Sequence, residues 1–283
     1  MKTTQIPPII YGTAWKEGAT AELTKQAVTA GFRGIDTANQ KMHYREDYVG
    51  EALLKLKGQG IPREDLFLQS KYTYQEGQDH RLPYDPNADF GTQVRSSFAH
   101  SLQNLHTHYI DSYLLHGPRS SRGMTDVDWE VWAAMEGLHD SGEVRMIGAS
   151  NVGLHHVMEL CEKARVKPKI VQNRCYAIRG WDQAVREYCL ANQIVYQGFS
   201  LLTANPQVLA DSRVAAMARH YEVTSEQVIL RFATHIGILP LTGTTDSQHM
   251  KDDLEISKFE LSNADLNTIH AISTSNKKIY ESF

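Results

Sequence analysis

The chain alternates short β-like runs with segments whose apolar residues recur every three or four positions. The runs are IIYGTAW (9–15), GFRGIDTA (31–38), LFLQSKY (66–72), YIDSYLLH (109–116), VRMIGASN (144–151), KIVQNRCY (169–176), QIVYQGFS (193–200) and GILPLTGT (237–244). Their centres are largely apolar, as in parallel strands buried on both faces. Helical spacing fills 20–30, 47–57, 92–106, 128–141, 153–164, 181–191, 206–219 and 224–235. Thr20 stands where an N-cap belongs and Gly31 where that helix should stop, and TSEQ (224–227) reads as another helix N-terminus. Strands alternating with helices in this way predict an α/β fold, a (β/α)8 TIM barrel spanning 1–283 as a single domain. A doubly wound open sheet is the competitor. Against it, no GxGxxG follows the first strand, and GQG at 58–60 precedes a strand instead of following one.

The apolar runs end in residues that packing alone does not ask for. In order these are Gly12 with Thr13, Asp36, Lys71, His116, Ser150 with Asn151, Gln172 with Asn173, Ser200 and Thr242. In a barrel the carboxyl ends of the strands converge on one face, so residues distant in sequence meet in one pocket. Taken singly, each has a plain reading: an Asp or Asn after a strand starts a turn, a Lys is solvated, a His is structural. The set reads differently, because Lys71 lies between apolar stretches where a charge is costly unless paired, and Asp36 is its natural partner. A nearby tyrosine would complete a proton donor. A free phenol has a pKa near 10. An ammonium about 4 Å away, at an effective dielectric near 20, favours the phenolate by at most roughly 4 kcal/mol, or about three pKa units. His116 can hydrogen-bond beside the reacting oxygen. Such a group delivers a proton to an oxygen that is becoming negative, which is what carbonyl reduction by hydride requires.

Composition removes several other classes. With 283 residues, 41% hydrophobic, the chain has material for a large core, and a net charge of -4 gives no basic footprint for nucleic acid or an anionic membrane. Cys161, Cys175 and Cys189 form no CxxC and no disulfide framework, so a reduced, cytoplasmic setting is expected. MKTTQIPPII is too polar for a signal peptide, and no apolar run approaches the roughly 18 residues of a membrane span. HTH at 106–108 and HH at 155–156 lack metal-ligand spacing, and no metal is expected. No nucleophile elbow is present, and Cys175, just past Gln172, is the one thiol that can approach a pocket.

GFRGIDTA, VGEAL, LFLQSKY, YIDSYLLHGP, IGASN and VQN, in that order over nearly the whole chain, resemble the signatures of the aldo-keto reductase superfamily. The IDTANQ…HYRED form is similar to a fungal and plant branch of small-carbonyl reductases. The resemblance implies an NAD(P)H-dependent oxidoreductase acting on a small-molecule carbonyl substrate, and mostly monomeric relatives. It also implies a catalytic tetrad of Asp, Tyr, Lys and His. Asp36, Lys71 and His116 match directly. Lys41 occupies the usual tyrosine position by count, but a short insertion assigns the general acid to Tyr44. Tyr48, on the helix-like pattern, is the alternative, and His43 is a neighbour of the acid.

The same resemblance implies that Ser150, Asn151 and Gln172 hold the nicotinamide carboxamide and that Phe199 stacks on the ring. Ser200 and Leu202 then run along the pyrophosphate, and Gly12, Thr13 and Asp36 contact the cofactor from the first strands. Thr242, Thr244, Gln248 and His249 fall at the adenosine end. Trp15 joins Tyr44 and His116 around the substrate. NADPH is the expected cofactor, with NADH or dual use open, because Leu241 and Thr242 replace the usual Lys-Ser and His249 the usual Arg. Thr242, Thr244, Gln248 and His249 retain hydrogen-bonding capacity for a phosphate but bring less fixed charge. Gly117 in HGP removes a wall that many members build from Trp. The loop 72–90, rich in Tyr and Pro, is expected to overlie the site. The short tail after SNADLNTIHAI again suggests an open pocket. Two rivals remain: a cofactor-sensing regulatory barrel without turnover, and the same chemistry aimed at a C=N bond or a complex natural product.

Overall fold

A computed structural model describes residues 5–275. Eight parallel strands close on themselves in sequence order: β1 (Ile10–Gly12), β2 (Gly34–Asp36), β3 (Phe67–Tyr72), β4 (Ile110–Leu115), β5 (Val144–Ser150), β6 (Ile170–Arg174), β7 (Val195–Phe199) and β8 (Leu239–Thr242). The expected (β/α)8 barrel is therefore present, and every expected strand lies inside its predicted run. The ring closes where Tyr11 pairs with Ile35 on one side and Thr242 on the other.

The interior follows from the two-residue side-chain period of a strand. An apolar plug of Ile10, Phe67, Leu114, Ile170 and Leu241 fills the barrel, with Met146, Val195 and Leu239 packed against it. Two residues on from Phe67, Ile170 and Val195, the inward position is a glutamine: Gln69, Gln172 and Gln197, all buried. Two further on stand Lys71, Arg174 and Phe199. Each of these strands thus passes from apolar plug, through an amide layer, to the carboxyl-end face.

The helices α1 (Thr20–Ala30), α2 (Glu46–Gly58), α3 (Phe90–Asn104), α4 (Asp126–Asp140), α5 (Leu154–Lys163) and α6 (Gln183–Ala191) surround the strands. They bury their apolar faces with the outward strand residues Tyr11, Ile35, Leu68 and Val171 in one continuous core. Gly50 in VGEAL has a packing reason: a Cβ there would stand 1.8 Å from the Asn104 carbonyl oxygen, so α2 and α3 could not approach. Thr224 and Gln227 form the expected reciprocal cap of the helix Ser225–His235 (α9).

Some local expectations change. Thr20 is the first helical residue rather than the cap, and its hydroxyl donates to the Glu17 carbonyl at 2.8 Å. The span 206–219 is two helices, α7 (Pro206–Leu209) and α8 (Ser212–Tyr221), because Asp211 caps the second through the Arg213 N–H. Two further helices follow the barrel, α10 (Ser247–Leu254) and α11 (Asn263–Ser275). The loop 72–90 does not lie over the pocket. Tyr72, Tyr74 and Tyr84 are buried in the main core, and their hydroxyls donate to Gln93, Asp128 and the Thr73 carbonyl. Aromatic residues that read as a mobile cover are instead spent on packing. The tail beyond 275, on which part of the open-pocket expectation rests, lies outside the described residues. No helix among the described residues is long and apolar enough to cross a membrane.

Candidate active site

A cavity of about 550 Å3 opens at the carboxyl ends of the strands, a size usual for a small-molecule or cofactor site. Of the residues singled out from sequence, Gly12, Trp15, Asp36, Tyr44, His116, Ser150, Asn151, Gln172, Phe199, Ser200, Leu202, Thr242, Thr244 and His249 line it. Thr13, Lys71 and Gln248 do not. Thr13 is fully buried, and its hydroxyl and N–H both bond the Asp36 carbonyl, so it ties β1 to β2. Lys71 sits beneath the floor, and Gln248 turns its amide to Asp252.

The floor is an ion pair set in amides. Lys71 Nζ lies 2.7 Å from each oxygen of Asp36 and 2.9 Å from the Thr37 carbonyl, which takes all three of its N–H bonds. Asp36 also accepts from Gln69 at 2.7 Å and Gln172 at 2.9 Å, and both glutamines donate to Gln197 Oε1. A buried pair survives only when its remaining lone pairs are met in this way. Burial pulls the Lys71 amine down while the Asp36 charge holds it up, and the net direction is down. Gln69 and Gln197 were missed in the sequence. Their signal was a polar residue two positions before Lys71 and Phe199 in otherwise apolar strands.

Tyr44 stands above this pair, with the Lys71 ammonium 5.2 Å from its ring centre. The net direction at Tyr44 is up: burial first, and then the Asp36 carboxylate, push the phenol above its ordinary value and outweigh the lowering expected from the ammonium. The ring meets His116 edge to face, centroids 6.0 Å apart. His43 is more than a loop residue: its ring packs 3.8 Å from that of Trp15, and its carbonyl accepts the Trp15 N–H. Trp15, 69% exposed, is a cavity wall and not a core aromatic. Tyr48, the alternative acid, stacks against Arg45 and does not line the cavity. Cys175 is buried away from the cavity and its thiol is pushed up to about 12 by burial, which leaves it unreactive.

His116 is pulled down to about 3, first by burial and then by the Lys71 charge, so it is neutral at ordinary pH. Its Nδ1 lies 2.6 Å from the Thr73 hydroxyl. Thr73 was not singled out, since nothing local in SKYTY marks it as a partner for a residue on the next strand.

Beside His116, Asn151 adopts a left-handed backbone (φ 56), held by its N–H to the Gln172 carbonyl and its side chain to the His116 carbonyl. Ser150 accepts from Asn151 at 3.3 Å. Gln172 has given its N–H groups to Asp36 and Gln197, which leaves Oε1 as an acceptor at the cavity. Hydroxyl, amide oxygen and the Phe199 ring thus belong to one cavity lining. Gly117 lies beside this wall, where a Cβ would touch Asn151. Arg174, missed in the sequence, lines the cavity with its guanidinium 5.5 Å from the Phe199 ring. Lys16, also missed, is buried behind the wall, donates to the Gly243 carbonyl and is pulled down to about 8 by burial.

The far end was read as offering four side chains to a phosphate, and the structure commits two of them, Thr242 and Gln248, elsewhere, while Thr244 and His249 stay on the lining. Thr242 donates to Asp253 at 2.6 Å and Gln248 to Asp252 at 2.9 Å. The Gln248 and His249 N–H groups both bond the capping carboxylate of Asp246. Asp252, Asp253 and Glu226 line the cavity there. None was singled out from sequence, because each lies on a helix following a strand, where acidic residues are common.

The aldo/keto reductase family model matches residues 8–274. An oxidoreductase of Bacillus subtilis (strain 168) named YtbE is 32% identical over 250 residues, covering 88% of this chain and 81% of that protein. A glyoxal reductase of the same organism is 30% identical over 252 residues, covering 89% and 82%. The crystal structure of MGS-M4, an aldo-keto reductase from a Medee basin deep-sea metagenome library, superposes with a TM-score of 0.81 at 26% identity, covering 95% of this chain and 92% of that one.

Proposed function

The chain belongs to the aldo/keto reductase family, and on that footing we propose that it reduces a small aldehyde or ketone to the alcohol, with Tyr44 as general acid. The family implies a nicotinamide cofactor, which supplies the hydride when bound. The cradle of Ser150, Asn151, Gln172 and Phe199 fits its carboxamide ring. Tyr44 donates its phenolic proton to the carbonyl oxygen as negative charge gathers there. A phenol held fully protonated at neutral pH suits that role, because an incipient alkoxide is a stronger base than phenolate. Lys71 offsets the charge left on Tyr44, and Asp36 keeps Lys71 charged and fixed.

His116 positions the same oxygen. In this reading the Thr73 hydroxyl, 2.6 Å from Nδ1, is the donor of that pair, which leaves Nε2 as the ring's N–H donor toward the substrate. The observation that carries this reading is the meeting of Tyr44 and His116 in the cavity directly above the buried Lys71–Asp36 pair. The complete set argues against a regulatory barrel without turnover. A C=N bond makes similar demands, but the name glyoxal reductase borne by one relative makes small dicarbonyls the first substrates to try. The narrower placement in a fungal and plant branch rests on the IDTANQ…HYRED segment alone. Three free cysteines fit a reducing, cytoplasmic setting, and a monomer is what the family resemblance implies.

The test is Tyr44→Phe. Oxidation of reduced nicotinamide with an aldehyde and ketone panel should fall at least about a thousandfold, while fluorescence titration shows cofactor binding intact. Near-normal kcat in that variant would remove Tyr44 from the role and return Tyr48 to consideration.

A further inference from the structure

We propose that the far wall of the cavity selects NADH and rejects the 2′-phosphate of NADPH. The inference rests on the reductase reading and on placing the adenosine between β8 and α10. It departs from the expectation of NADPH. A 2′-phosphate carries about -1.5 to -2 charges at pH 7 and needs fixed cations or free N–H donors. A ribose 2′-hydroxyl needs an acceptor, and a carboxylate serves best.

The wall offers the second and not the first. Glu226, Asp252 and Asp253 line it, and they stand close enough together that Glu226 and Asp252 raise the Asp253 carboxyl, whose main cause is burial, to about 6. Leu241 and Thr242 close the strand side. His249 is the one basic side chain on this wall among the described residues, and no Lys or Arg joins it there.

Apart from the Thr244 hydroxyl, which accepts the Asp246 N–H, and the His249 ring, the donors that a phosphate would need are engaged by the chain's own carboxylates. Thr242 serves Asp253, Gln248 serves Asp252, and the first N–H groups of α10 serve Asp246. A helix N-terminus is a natural phosphate seat, but here Asp246 already fills it. Cations elsewhere do not rescue the site. Lys16 is 7% exposed and bonded to the Gly243 carbonyl, outside the lining. Arg174 sits on Phe199 at the nicotinamide end, and Lys251 is not among the residues that line the cavity.

Equilibrium titration of the whole protein with NADH and NADPH, followed by protein and nicotinamide fluorescence, reads the preference without turnover. NADH should bind at least tenfold more tightly, a difference of about 1.4 kcal/mol. As a second arm, Glu226→Lys, at an exposed position of this wall, should shift the ratio of NADPH to NADH affinity at least tenfold toward NADPH. Equal or tighter binding of NADPH by the unaltered protein overturns the inference and leaves the reductase reading intact. A ratio unmoved by that variant, whose fold is checked by thermal unfolding, also overturns it. Failure to bind either dinucleotide would sink both readings together.

Discussion

Replacing Lys71 with methionine separates what the ion pair does for folding from what it does for chemistry. Lys71 is fully buried and bonded only to Asp36 and the Thr37 carbonyl. Its removal leaves the Asp36 carboxylate in the barrel interior with only the Gln69 and Gln172 amides, and a broken buried pair of this kind costs about 3–5 kcal/mol. At roughly 2–4 °C per kcal/mol for a chain near this size, Tm should fall by about 6–20 °C. The chemical loss is distinct. The ammonium lies 5.2 Å from the centre of the Tyr44 ring. At an effective dielectric near 20, a unit charge at that distance is worth about 3 kcal/mol to a phenolate, or roughly 200-fold in rate. Adding Asp36→Asn should restore much of the Tm by removing the stranded charge, without restoring the rate. The assays are thermal unfolding and single-turnover oxidation of the reduced cofactor. A Lys71→Met enzyme turning over within about threefold of the unaltered one would refute the electrostatic role. So would a double variant in which rate and stability recover together.

Thr73→Val should lower kcat for reduction by about 2- to 10-fold with little change in KM, the worth of one hydrogen bond orienting His116, and Thr73→Ser should recover it. Because burial holds His116 down to about 3, the unaltered enzyme should show no protonation step in kcat between pH 5 and 8; a limb near the ordinary histidine value would contradict that placement. Asp253 provides a stability test. Its native carboxyl is raised from the ordinary 3.8 to about 6, chiefly by burial, so the native state binds the proton more tightly than the unfolded chain, and stability falls as pH rises through that window. Asp253→Asn should remove this slope and gain about 1–2 kcal/mol at pH 7 relative to pH 4, read from denaturant unfolding at both; an unchanged slope would count against a raised Asp253.

The strand count, the strand order and the positions of Asp36, Lys71 and His116 at strand ends were legible in the sequence. A strand's apolar run and its side-chain period are local, and a helix stop such as Gly31 (φ 132) is written in one residue. The Lys71–Asp36 pair could also be anticipated, because a buried charge requires a partner and few were on offer. Other features were not legible. The tyrosine loop 72–90 reads as a cover because Tyr and Pro occur in binding loops, but burying those rings against α3 and α4 yields more than exposing them. The same composition serves both ends, and only the neighbouring helices decide.

By itself, then, the sequence determined which side chains reach the carboxyl-end face. Which of them meet was decided by closure of the barrel. Gln69 finds Gln197 across 128 residues, Thr73 finds His116 across 43, and Thr242 is taken by Asp253 on a helix packed over the strand end. The reason is that a hydrogen bond depends on separations of a few tenths of an ångström, whereas periodicity in a sequence specifies only the face on which a residue lies. Whether Lys71 donates to Tyr44 or to Asp36, and whether Thr242 is free for a phosphate or held by a carboxylate, are questions of register and packing between elements that no local pattern contains.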